Sequence, residues 1–274
     1  SGRLSPDGTR VALGLMDARS STKPKLWIYE TSRGTGTQLT YGDRVDLWPV
    51  WSPDGGRVVF ASSRKGQWDL YEIGLREREQ ERVLLESGNN KLPNSFSRDG
   101  RFLLYEEFDP LTKSDIKVLP LAGDRRPRAF VATPFDERNA QFSPDGRWVV
   151  YVSDEPGRPE VYLAAFPEGA RRRISTEGGS QPRWSANGSE LFYIAPGRKL
   201  TAVTVETRGA EPVLGQARTL FQMPPLARGG TAFGVPTKYD VSPDGRFLVH
   251  ARLAEEAPVP ITLVLNWTTG LGGR

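Results

Sequence analysis

The sequence predicts an all-β fold, a six-bladed propeller whose blades are antiparallel sheets of three or four strands. Two observations carry this. A hydrophobic residue followed by Ser-Pro-Asp-Gly, or a close relative, occurs six times: Leu4-Ser5-Pro6-Asp7-Gly8, Trp51-Ser52-Pro53-Asp54-Gly55, Phe96-Ser97-Arg98-Asp99-Gly100, Phe142-Ser143-Pro144-Asp145-Gly146, Trp184-Ser185-Ala186-Asn187-Gly188 and Val241-Ser242-Pro243-Asp244-Gly245. From serine to serine the steps are 47, 45, 46, 42 and 57 residues. A period near 45 with strand-like surroundings marks one small sheet per repeat. The intervening segments alternate apolar and polar residues, as in Lys25-Leu26-Trp27-Ile28-Tyr29 and Asp69-Leu70-Tyr71-Glu72-Ile73, and none sustains a 3.6-residue period.

Each element has a local reason. In the turn, Ser bonds the backbone a few residues on, Pro pre-sets φ, Asp suits the third position, and Gly takes the left-handed fourth that opens a one-residue bulge. Arg98 replaces Pro in repeat 3, which a type I turn allows, and Asn187-Gly188 in repeat 5 still tolerates positive φ. The six Asp or Asn side chains also invite a metal-ligand reading. Each lies about one blade from the next with no partner, so they are read as turn residues.

A first strand enters each turn and a second leaves it, at 10–15, 57–61, 102–106, 148–152, 190–194 and 247–251. Third strands are expected at 25–29, 69–73, 115–119, 160–164, 200–205 and 261–266. Fourth strands are expected at 37–40, 82–85, 128–131, 172–175 and 217–221. Residues 76–82 are charged, but about seven residues between strands are too few for a helix. The residue before each turn (Leu4, Trp51, Phe96, Phe142, Trp184, Val241) is expected to pack between blades. An insertion at 209–238 accounts for the long last step. The whole of 1–274 reads as one domain, with blades starting near 1, 48, 92, 138, 181 and 238. Because the chain opens directly in a repeat and lacks an initiator Met, it reads as a fragment of a longer protein.

Composition narrows the function classes. There is no cysteine, hence no thiol nucleophile, disulfide framework or Cys-based zinc site. A net charge of +4 is mild for a nucleic-acid binder, and no such contact is expected. The Arg171-Arg172-Arg173 run is expected to edge an outer strand, where charge discourages edge pairing. No apolar run is long enough to read as a membrane span.

The repeats resemble the TolB-type, WD40-like (PD40) propeller repeat. Over about 140–270 the segments Gly157-Arg158-Pro159-Glu160-Val161-Tyr162, Gly178-Gly179-Ser180-Gln181-Pro182-Arg183-Trp184, Glu190-Leu191-Phe192-Tyr193, Tyr239-Asp240-Val241-Ser242-Pro243-Asp244-Gly245 and Leu265-Asn266-Trp267-Thr268 are similar to the C-terminal propellers of bacterial, acidobacterial-type serine/threonine protein kinases and of some winged-helix regulators. That resemblance implies a sensory or protein-interaction domain attached to a catalytic or DNA-binding domain. In kinase relatives a membrane span often separates the two, which favours a periplasmic or other extracytoplasmic location.

The chain offers little chemistry of its own. A nucleophilic triad needs a base, usually His, and the only histidine, His250, falls inside a predicted strand. There is no Gly-x-Ser-x-Gly elbow and no phosphate-binding loop. No catalytic residue, metal or cofactor is expected. Two enzymatic readings stand as alternatives: an accessory propeller of a prolyl-oligopeptidase-like hydrolase, and a lactonase- or lyase-type enzyme acting in its channel. The leading expectation is a monomeric domain that binds a protein or peptide at one mouth of the axial channel. Residues ahead of each turn are expected to converge there: Asp46, Trp48, Asn90, Lys91, Asn94, Arg138, Asn139, Gln181, Arg183, Lys238 and Tyr239. Such a polar, mostly basic ring suits carboxylates or extended segments.

Overall fold

Each serine segment forms the predicted hairpin turn in the computed structural model, which describes residues 2–16, 23–76, 80–110, 112–207, 211–225 and 238–251. In repeat 2 the Ser52 hydroxyl donates to Asp54 Oδ1 at 2.5 Å and accepts the Arg57 backbone N–H at 2.9 Å. Asp54 Oδ1 also accepts the Gly56 N–H at 3.1 Å, and the Gly55 N–H reaches the Ser52 carbonyl at 2.9 Å. The serine–Asp/Asn and serine–backbone bonds recur in the other five turns. The closing glycine has φ between +64° and +81° in all six, the left-handed region that L side chains resist.

Around these turns the strands assemble in chain order. Blade 1 is β1 (Gly2–Leu4), β2 (Arg10–Leu15), β3 (Lys25–Glu30) and β4 (Gly36–Gln38). Blade 2 is β5 (Asp46–Trp51), β6 (Arg57–Lys65), β7 (Gln67–Gly74) and β8 (Arg82–Leu85). Blade 3 is β9 (Asn90–Phe96), β10 (Phe102–Asp109), β11 (Lys113–Pro120) and β12 (Arg128–Val131). Blade 4 is β13 (Glu137–Phe142), β14 (Trp148–Ser153), β15 (Glu160–Ala165) and β16 (Arg171–Arg173). Blade 5 is β17 (Ser180–Trp184), β18 (Glu190–Ala195) and β19 (Lys199–Glu206), with both β20 (Val213–Leu214) and β21 (Arg218–Gln222) on the outer side of β19. All pairings are antiparallel.

The count of blades is a correction. Among the described residues the structure shows five blades, not six. The sixth repeat contributes a two-stranded hairpin, β22 (Tyr239–Val241) and β23 (Phe247–Val249). Its expected third strand, 261–266, lies outside the described residues, as do residues 209–210 and 226–237 of the insertion at 209–238. The hairpin nevertheless sits in the ring, with β22 against β17 on one side and β1 on the other. The short β20 was missed because Val213-Leu214 has no alternation to read.

The core is divided among the seams between neighbouring repeats. Trp51 packs with Ala12 and Leu26 of blade 1 and Phe60 of blade 2. Phe96 joins Val59 and Leu70 to Leu103, Phe142 joins Leu104 and Ile116 to Tyr151, and Trp184 joins Trp148 and Val150 to Leu191. At the last seams Phe247 packs on Phe192, and Leu248 on Val11 and Leu13. The apolar residue before each turn thus packs between repeats, as its position predicts. Burying such large side chains at every seam is what holds blade to blade. The exposed Arg171–Arg173 strand is the outer edge of blade 4.

Two tests follow from this packing. Gly100 and Gly146 have φ of +70° and +73°, and a Cβ there would meet no atom closer than 4.0 Å. Replacing either with valine should therefore cost about 1–3 kcal/mol through backbone strain alone, read as a lower midpoint in urea unfolding; unchanged midpoints for both would refute the left-handed turn.

His250 fills the seam between the hairpin and blade 1, so close that a Cβ on Gly2 would meet its Nε2 at 2.7 Å. Burial, with the nearby Lys238 and Arg3 charges, pushes its pKa from 6.5 down to about 3. The folded state therefore holds the neutral imidazole. The stability this gives is complete above pH 6.5 and is lost as pH falls toward 3. Wild type should lose about 2 kcal/mol more than a His250→Leu variant between pH 7 and pH 5. Equal slopes of unfolding free energy against pH in the two proteins would show that this seam does not exclude the proton.

Candidate binding site at the axial mouth

The inner strands β1, β5, β9, β13, β17 and β22 surround the axis and end together at the serine turns. Counting from each turn serine, the residues two positions earlier are Arg3, Val50, Ser95, Gln141, Arg183 and Asp240. All but Arg183 line a cleft of about 290 Å³ at the turn face, and all six repeats contribute walls to it. The rim comes from the residue after each serine: Pro6, Pro53, Arg98, Pro144, Ala186 and Pro243. Arg98 is thus the one charge in a rim of prolines and alanine. It is exposed, and its Nη1 donates to the Pro144 carbonyl at 3.3 Å.

Electrostatics in this ring favour an anion. Asp240 Oδ1 lies 3.6 Å from Arg183 Nε and 3.8 Å from Arg3 Nη1. Two guanidiniums therefore share one carboxylate, with Arg183 only 2% exposed. Burial, then the neighbouring Arg183 charge, lowers the Arg3 pKa to about 9, so it stays charged at neutral pH. Burial lowers Arg183 too, and raises the carboxyl of Glu106 deeper in the ring. Each of these burdens on the cations is relieved by a further negative group at the mouth.

The residues expected to form a ring do not gather at one mouth. Arg183 and Asn94 belong to the axis, and Tyr239 is buried beside them in the core of the last seam. Several of the expected residues take part in clasps between strands. Asn94 Oδ1 accepts the Ala140 N–H at 2.9 Å, Gln181 Oε1 accepts the Lys238 N–H at 2.7 Å, and Glu106 Oε1 accepts the Asn139 N–H at 2.6 Å. Arg138 pairs with Asp136 at 2.7 Å and covers the Phe108 ring.

Trp48 is core: it meets Trp68 edge-on at 4.9 Å and packs on Leu92. Its φ of +53° matches Asn139 (+57°) and Gln181 (+52°), four residues before their serines. Each lies where strand register breaks, so a bulge re-aims the side chains.

Asp46, Asn90 and Lys91 belong to the opposite ends of the inner strands. Asn90 Oδ1 accepts the Trp68 N–H at 2.9 Å, and Asp46 pairs with Arg44 at 3.1 Å. Lys91, 0% exposed, pairs with Asp69 at 2.8 Å across the seam of blades 2 and 3. Removing one partner of such a pair strands a buried charge. Lys91→Met should cost about 3–5 kcal/mol, and Lys91→Met with Asp69→Leu should recover most of it. A double variant as unstable as the single one would show that packing, rather than charge, holds this seam.

Sequence reasoning missed Arg3, Ser95, Gln141, Asp240 and Arg98. The signal was available in the repeat itself: the register two before each serine, and the one turn in which proline gives way to arginine.

Known proteins agree with this architecture. The family model of the TolB beta propeller domain, PD40, matches residues 1–119. The "Uncharacterized peptidase YuxL" of Bacillus subtilis is 25% identical over a stretch covering 59% of this chain and 31% of that protein. The Tol-Pal system protein TolB of Bordetella pertussis is 32% identical over 44% of this chain and 27% of its own length. The chain thus spans less than a third of either of these curated relatives. The crystal structure of TolB from Acinetobacter baumannii superposes with a TM-score of 0.73 at 20% identity, covering 90% of this chain and 59% of that one. The first 119 residues are therefore similar to TolB-type PD40 repeats, and the chain folds as a β-propeller of the kind seen in TolB.

Proposed function

We propose that this chain is a non-catalytic interaction propeller that receives an anionic or extended peptide segment of a protein partner at the turn-face mouth of its channel. The observation that carries this is the pair Arg3 and Arg183 sharing Asp240 below a rim charged only by Arg98. Carboxylates are bound well by guanidinium groups, and a concave mouth strengthens the attraction. The TolB-type repeats support an interaction role. The resemblance to kinase C-terminal propellers supports attachment to a bacterial kinase or regulator, on the extracytoplasmic side.

A random peptide library with free C-terminal carboxylates, and its amidated counterpart, tests the reading. Binders should prefer the free acid. Arg98→Glu and Arg3→Gln should each weaken them at least about tenfold, and Arg98→Glu should leave Tm unchanged. Binders indifferent to both substitutions and to amidation would move the site away from this mouth. The peptidase relative favours a second reading, an accessory propeller of a hydrolase. Peptide cleavage by the intact protein, slowed by Arg98→Glu, would decide for it.

A further inference from the structure

The seam between blades 3 and 4 departs from the charge pairing found at the two seams before it. Ten residues after the turn serine of repeats 1 to 4, the second strand pairs with a residue of the third: Leu15 with Lys25, Ser62 with Asp69, Glu107 with Asp115, and Ser153 with Glu160. Six residues before the serine of the following repeat stand Asp46, Lys91, Glu137 and Gly179. The two rows meet across the seams. Asp69 and Lys91 form the buried pair already described. The Asp46 N–H donates to Pro24 O, next to Lys25, at 3.1 Å, and the Gly179 N–H to Pro159 O, next to Glu160, at 2.9 Å. Two seams thus place a cation opposite a carboxylate. Beside Gly179, Glu160 is satisfied by Ser175 Oγ, the Gly178 N–H and Arg158 Nε.

Blades 3 and 4 instead bring together two carboxylates, Asp115 and Glu137. Asp115 is 6% exposed and Glu137 fully buried. Glu137 Oε1 accepts from Thr133 Oγ1 at 2.5 Å and Ser153 Oγ at 3.2 Å. Asp115 Oδ2 accepts from Thr112 Oγ1 at 2.9 Å, but Asp115 Oδ1 is buried with no hydrogen-bond partner. The nearby lysines are engaged elsewhere: Lys117 with Glu107 at 3.1 Å and Lys113 with Asp154 at 3.0 Å. Asp109 and Glu107 add negative charge on the same side. Burial raises the pKa of both Asp115 and Glu137, and the charge of Asp115 raises Glu137 further. A buried acceptor with no donor costs free energy that the neighbouring seam avoids by supplying an ammonium.

We propose that the seam of blades 3 and 4 is a cation site, in which a divalent ion of the Ca2+ type takes the place that Lys91 fills at the seam before it, held by Asp115 and Glu137. The donors are carboxylate and hydroxyl oxygens, with no nitrogen or sulfur, which suits a hard ion tolerant of irregular geometry and bound water. Two carboxylates, with no third acidic or His ligand grouped among the described residues, match a modest affinity.

The test uses this chain freed of divalent ions with a chelator. Calorimetric titration with CaCl2 should give one saturable site, and Ca2+ should raise Tm by about 2–4 °C more than NaCl of equal ionic strength. Asp115→Asn should abolish both effects. Glu137→Lys recreates the Asp69–Lys91 arrangement, and should fold without Ca2+ and ignore it. Absence of a saturable heat in the wild type, or an equal Ca2+ response in both variants, would overturn the proposal. So would a wild type that ignores Ca2+ and loses stability as pH rises through the carboxyl range, since a shared proton would then hold the seam.

Discussion

Closing a ring of sheets creates one problem that every seam must solve. Within a blade, backbone groups pair strand to strand. At the axis, inner strands of adjacent blades splay apart and do not form a ladder with each other, yet their N–H groups are buried. Buried backbone donors must be satisfied. Here side chains of one inner strand reach to the next. Asp240 accepts the Leu4 N–H at 2.9 Å, Ser95 the Phe142 N–H at 3.3 Å, and Gln141 the Trp184 N–H at 3.0 Å, alongside the Asn94 and Gln181 clasps. Between blades 1 and 2 the direction reverses, and Trp51 Nε1 donates to the Arg3 carbonyl at 2.9 Å. The polar residues of the axis are therefore the mortar of the ring first.

The serine turn sets which residues become mortar. Once Ser and Asp fix the hairpin, register is fixed along the inner strand, since a one-residue slip would exchange its faces. The residue before the serine then enters the apolar seam, the one before that faces the axis, and the residue after it forms the rim. Three surfaces of different chemistry follow from one repeated tetrapeptide. Variation is free only where the turn does not constrain the side chain, which is why Arg98 can replace proline and carry charge to the rim.

This explains which parts of the fold were legible. Strands 10–15, 82–85 and 128–131 coincide with β2, β8 and β12 because turn residues and alternation bound them on both sides. The seam residues were legible for the same reason. The axial site was not, for two reasons. The bulges at Trp48, Asn139 and Gln181 insert a residue into the inner strand, and so break the simple alternation that would have told axis from seam. A ring of amides and charges also looks alike in sequence whether it faces a ligand or a neighbouring backbone. Only distances, such as 2.7 Å from the Lys238 N–H to Gln181, separate the two.

That ambiguity has a physical resolution at Asp240. Its Oδ2 is committed to the Leu4 N–H, while its Oδ1 stands between two guanidiniums at 3.6 and 3.8 Å, beyond hydrogen-bond length. One carboxylate oxygen closes the ring; the other only partly neutralises Arg3 and Arg183. A clasp needs one acceptor and no cations, so ring closure alone does not account for two arginines converging on the same axis. Burying both costs solvation, and Asp240 with the more distant Glu106 offsets part of that cost. Two arginines converging on one carboxylate oxygen, after the backbone groups at the mouth are paired, are the feature on which the proposed binding role rests.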